Sequence, residues 1–154
     1  MDKRGQIMQC FEKRKRVALR WAGGALLLGL LYYLFMRENT LFLGWLGIRG
    51  EAIWHTSSDL LSALPTFLHV LAFSLLTWVL LNLEYPLFST LVWVGINLLF
   101  ELLQLLPAKE AGVLPPFLYR YAVNGTFSGL DVAAIFFASM VYFSIVNTHP
   151  EKDL

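Results

Sequence analysis

Charge and cysteine are what this chain has least of. Only 15% of its 154 residues are charged, against 57% that are hydrophobic. A water-soluble domain of this size could not keep that much apolar surface folded in solution, which excludes a cytosolic globular protein and points to a membrane. The single cysteine, Cys10, excludes an intrachain disulfide and leaves the redox compartment open. It is not a lipobox cysteine either, because Gln9 precedes it and the apolar run follows it. No H-x-x-x-H or C-x-x-C spacing occurs, so neither a metal nor a cofactor is expected, although zinc on His69, Glu101 and Asp131 is chemically conceivable. Nucleotide-binding signatures, internal repeats and low-complexity runs are also missing, and nucleic acid is not an expected partner.

What is there is a series of apolar runs. Roughly 20 apolar residues are needed to cross the ~30 Å hydrocarbon layer, so four spans with their connections nearly use up the chain. The expected fold is all-α: a polytopic membrane protein with four transmembrane helices in a small bundle, at about 17–36, 65–83, 86–106 and 130–146. Residues 1–16 form a basic segment before this 17–147 transmembrane domain, and residues 148–154 a short tail after it. The first run is long enough to span, and the MRENT that follows lacks a small-x-small cleavage pattern, which argues against a signal peptide. Ala25 and Gly29, four residues apart, suit close helix packing or simple tolerance on a lipid face. Pro65 and Pro86 open the second and third runs, where a missing N–H costs nothing. The short link from Asn82 to Tyr85 makes those two runs an antiparallel hairpin. Ser128, Gly129 and Asp131 head the fourth run as a helix start.

Seven of the twelve Lys and Arg residues precede or begin the first run, and Lys152 joins them if four spans return the chain to its starting side. Arg37, Arg49, Lys109 and Arg120 fall on the other side. The eight-to-four split predicts both termini in the cytoplasm, across what is expected to be a bacterial inner membrane. The outer connections, 37–64 and 107–129, are rich in Leu, Trp, Phe and Tyr and are expected to fold as interfacial segments, with a short helix over 51–61.

Asn97, Glu101 and Gln104 fall at i, i+4 and i+7 of the third run and so share one stripe. A carboxylate at the bilayer centre costs at least ~3 kcal/mol, so Glu101 should face the bundle interior and hold a partner or a function. The second run carries Thr66, His69, Phe73 and Thr77 on a stripe of its own. Alternating helix direction places His69, Glu101 and Asp131 at one membrane level near the outer face, with Gln104 beside them and Arg120 above. Each has a blander reading: Asp131 as complement to a helix N-terminus, His69 as a packed histidine bonded to a neighbour. His55 and His149 look incidental.

The order LPTFLHVLAFSLL, FELLQLLP, NGTFSGLDVAAIFFAS resembles the VanZ-like family of small integral membrane proteins over about residues 64–140. His69 and Phe73 match its first element, Glu101 and Gln104 its E-x-x-Q, and Gly125, Thr126, Phe127 and Asp131 its third. The resemblance implies Arg120 as the arginine found between the last two elements. The chain departs from the family at Ile135, where members often carry asparagine, and at Ala138 and Ser139 beyond. These departures mark a divergent branch, to which the founding member's teicoplanin resistance is not carried over.

Two functions from different classes are expected. One is binding or modifying an amphiphile at the outer leaflet: a membrane lipid, a lipid-linked envelope precursor or a lipophilic antibiotic. There His69, Glu101 and Asp131 would be the candidate acid and base groups, and Asn97, Gln104, Arg120 and Thr126 the binding groups, Arg120 on an anionic headgroup. The other is a non-catalytic accessory subunit in which Glu101, Gln104 and His69 form a polar clasp between helices. A proton-coupled transporter is a third and weaker option.

Overall fold

The computed structural model describes residues 3–36 and 59–148, and all regular structure among them is helical. In chain order the helices are α1 (Lys3–Met36), α2 (Asp59–Ser62), α3 (Leu64–Leu80), α4 (Pro86–Leu103), α5 (Ala108–Ala111), α6 (Pro116–Asn124) and α7 (Gly129–Asn147). Among the described residues, four stretches are long and apolar enough to cross a membrane: Met8–Met36, Leu60–Leu80, Pro86–Leu103 and Gly129–Asn147. Large apolar side chains such as Leu91, Leu99, Phe136, Phe137 and Met140 point outward from α4 and α7. An apolar surface of that extent is costly in water and suited to lipid. The expected four-helix membrane fold is the fold observed.

The helix ends differ from the hydropathy reading. α1 begins at Lys3, not Val17, because the stretch before the apolar run has no proline and is rich in Lys, Arg, Gln and Glu, all good helix formers. Hydropathy locates a span; it does not locate a helix. At 34 residues α1 is about 51 Å long, well beyond the hydrocarbon thickness. The second and third helices stop at Leu80 and Leu103, short of the expected 83 and 106. The connection over 107–129 is not an irregular loop: α5 follows directly on Pro107, and α6 on Pro115. Of the helix expected over 51–61, Asp59–Ser62 is helical and 51–58 lies outside the described residues, as do Arg37, Arg49, His55, His149 and Lys152.

α3 is the central helix. It packs against α1, α4 and α7, and α4 and α7 also touch each other. Its Leu75 and Trp78 lie in the core with Ile135, Ala138 and Tyr142 of α7. The Trp78 and Tyr142 rings meet edge to face at 6.3 Å, and the Tyr142 hydroxyl donates to the Pro86 carbonyl oxygen at 2.9 Å. That bond gives a buried polar group a partner where water is absent. α1 leans on α3 through small residues: Ala18, Ala22, Ala25 and Gly29 are buried on one stripe. A Cβ placed on Gly29 would sit 3.9 Å from Leu68 Cδ1. Of the two readings open for the Ala25 and Gly29 pair, close helix packing is the one observed.

The α3–α4 reversal is a Schellman turn. The Leu83 N–H bonds to the Trp78 carbonyl oxygen at 2.9 Å and the Asn82 N–H to that of Val79 at 3.1 Å. Asn82 (φ 54°) and Leu83 (φ 63°) are both left-handed. Asparagine tolerates that region, and Leu83 gains by it, since its side chain is only 9% exposed in the core beside Trp78. With this turn at one end, the C-terminal ends of α1 and α4 and the N-terminal ends of α3 and α7 gather at the other.

Candidate functional site

A cavity of about 1270 Å³ opens at that second end, between α3, α4, α7 and the α6–α7 connection, with Tyr33 of α1 at its edge. His69, Asn97, Glu101, Gln104, Thr126 and Asp131 all line it. Six of the seven sequence-predicted residues therefore share one space. The seventh does not: Arg120 is exposed on α6 and is absent from the lining. The buried residue of α6 is Ala122, two positions on, and at roughly 100° per residue this turns Arg120 about 160° away from the packed face.

Glu101 is the best-secured member, only 5% exposed although it carries a charge-bearing group. Its Oε2 accepts the Ser128 backbone N–H at 3.2 Å, and its Oε1 faces Gln104 Nε2 at a long 3.4 Å. Gln104, which closes α4 as its C-cap, also donates to the Tyr121 hydroxyl at 2.9 Å. The E-x-x-Q spacing thus works as a bracket that holds the α6–α7 connection onto α4. Gly125 sits inside that bracket. A Cβ there would lie 2.7 Å from Gln104 Cδ and 2.8 Å from the Tyr121 carbonyl oxygen, so no side chain fits.

Asp131 stands in the first turn of α7, where an acid complements the helix N-terminus, but it is not the cap. That role belongs to Ser128, whose hydroxyl accepts the Asp131 N–H at 3.3 Å. The Asp131 carboxylate reaches across to α3, where Oδ1 accepts the Thr66 hydroxyl at 2.6 Å. Oδ2 has no hydrogen-bond partner among the described residues, and neither imidazole nitrogen of His69 has one. His69 is held by rings instead, stacked on Tyr33 at 6.1 Å and tilted against Phe73 at 5.9 Å. Asn97 spends its side-chain N–H on the Trp93 carbonyl oxygen one turn back, at 2.8 Å.

Sequence reasoning left out of the site three residues that shape it. Thr66 shares the stripe of His69, but nothing in a threonine announces a carboxylate on another helix. Trp93 lies at i−4 from Asn97 and i−8 from Glu101, so helical periodicity alone could have added it to the polar stripe. Its indole N–H donates to the Thr77 hydroxyl at 2.8 Å and its ring stacks on Phe73 at 4.7 Å. Tyr33 had no signal, because an aromatic residue inside an apolar run says nothing of which side it faces.

Among the described residues, no three His, Cys, Asp or Glu side chains are placed to hold a metal ion together. The arrangement offers two carboxylates, a histidine and side-chain amides, with walls that include Phe73, Trp93, Ile96 and Phe100. Fold and site together define an integral membrane protein of four spanning helices with a polar-mouthed, aromatic-walled cavity at one end of the bundle. No family model, curated protein or solved structure matches the chain.

Proposed function

We propose that this protein binds or modifies an amphiphile at the outer leaflet, as a divergent VanZ-like membrane protein with both termini in the cytoplasm. The observation that carries the reading is the cavity: about 1270 Å³ with polar groups at the mouth and aromatic and aliphatic groups deeper in. Ligand pockets for drug-sized molecules run to about 300–1,000 Å³, so there is room for a headgroup and the beginning of an acyl chain. Phe73 lies nine residues into α3, about 14 Å below its start, a depth that suits a tail better than a soluble metabolite. The VanZ-like resemblance is supported by its residues meeting in space, for His69, Phe73, Glu101, Gln104, Thr126 and Asp131 line this one cavity. The outward direction of the mouth rests on the basic residues of α1, which favour the cytoplasm. If the protein is an enzyme, the His69 imidazole and the Glu101 and Asp131 carboxylates are its acid and base groups.

The test is lipid retention. Purified protein reconstituted with phosphatidylethanolamine, phosphatidylglycerol and phosphatidylcholine is expected to carry lipid in proportions that differ from the bulk, and Glu101→Gln is expected to shift them without lowering the unfolding midpoint. Retention that simply mirrors the bulk in both proteins sinks the reading. The hydrogen bonds from Thr66 to Asp131 and from Ser128 to Glu101 favour a second reading, an accessory subunit whose polar groups clasp helices. In that case Glu101→Leu unfolds the protein readily while Glu101→Gln leaves both lipid retention and fold intact.

A further inference from the structure

The sign of the headgroup can be argued from the charges around the mouth. Each helix end carries about half a charge, positive at N-termini and negative at C-termini. α1 and α4 bring C-terminal ends here and α3 and α7 bring N-terminal ends, so these partial charges offset one another. Full charges then decide the field inside the cavity: among the described lining residues the carboxylates are those of Glu101 and Asp131, residues that both hydrogen-bond to Ser128, while Arg120 stays outside the lining. Asp131 Oδ2 has no hydrogen-bond partner among the described residues. The same cavity is lined by a ladder of rings, with centroid separations of 6.1 Å from Tyr33 to His69, 5.9 Å from His69 to Phe73 and 4.7 Å from Phe73 to Trp93. Aromatic faces attract cations within about 6 Å, most strongly where water is excluded.

We propose that the cavity selects amphiphiles whose headgroup carries an ammonium group, a primary amine or a quaternary nitrogen, seated between the Glu101 and Asp131 carboxylates against the ring ladder. This rests on the amphiphile reading above and names its headgroup class. A primary ammonium has three donors, matching Asp131 Oδ2 and the outer lone pairs of Glu101. The apolar remainder of the ligand runs along Phe73, Trp93 and Ile96 into the bundle.

The experiment compares diacyl lipids with identical chains in nanodiscs, read by native mass spectrometry: phosphatidylethanolamine, its N-acetylated form, a trimethylammonium-propane lipid and phosphatidylglycerol. The two cationic-nitrogen lipids are expected to be retained on the order of tenfold more than the N-acetylated one. Asp131→Asn, which keeps an acceptor for Thr66, is expected to remove most of that preference while the protein stays folded by circular dichroism. Equal retention of the N-acetylated lipid or of phosphatidylglycerol overturns the ammonium assignment and leaves the amphiphile reading standing. Retention of no lipid, or displacement of all lipid by millimolar glycerophosphoethanolamine, overturns both.

Discussion

The Thr66 hydroxyl on α3 donates a 2.6 Å hydrogen bond to Asp131 Oδ1 on α7 and ties together the first turns of two spanning helices. Thr66→Val keeps the shape of the side chain and deletes the donor. Hydrogen bonds between membrane helices average about 0.6 and reach about 1.7 kcal/mol, so a loss of stability in that range is expected. Unfolding in mixed micelles measures it, and a double-mutant cycle with Asp131→Ala, which removes the acceptor, should show coupling of similar size. Additive effects of the two substitutions would mean that the bond contributes nothing.

How far the sequence carried the reading differs between backbone and side chains. The four spans were legible because length and hydropathy are properties of a segment, whatever it packs against. The grouping of His69, Glu101 and Asp131 was legible because a short turn fixes helix direction, and direction fixes the end at which a residue lies. The start of α1 was not, since Lys and Gln form helices as readily outside a membrane as apolar residues do inside one. The place of Arg120 was not either, because it depends on the rotation of α6, and in PFLYRYAVN apolar and aromatic residues flank Arg120 on both sides, so no single face stands out as the packed one.

Gly125→Ala tests whether the connection before α7 is held at a fixed distance. The new methyl would overlap Gln104 and, less avoidably, the Tyr121 carbonyl oxygen, which is backbone. Overpacking of this kind costs about 1–3 kcal/mol. A midpoint lowered accordingly, together with weaker lipid retention, is the expected outcome. If Gln104→Ala in the same chain relieves the loss, the side chain is the obstacle; if it does not, the Tyr121 backbone is.

At the opposite end, Asn82 stands at φ 54° in the Schellman turn. Asn82→Gly removes the Cβ from a left-handed residue and should leave stability unchanged or raise it by a few tenths of a kcal/mol. Asn82→Val puts a β-branched residue there and should cost about 1–2 kcal/mol. Equal midpoints for the two variants would show that the turn relaxes out of the left-handed region.

The stripe of small residues on α1 has a consequence for the order of events during synthesis. α1 makes its main contacts with α3, yet α1 is translated first, and 44 residues separate Met36 from Leu80. At roughly 5–20 residues per second, the nascent helix waits about 2–9 s before its partner is complete. Through that interval Ala18, Ala22, Ala25 and Gly29 face lipid or the insertion machinery, and α3, once made, can receive α1 before the rest of α4 has been added.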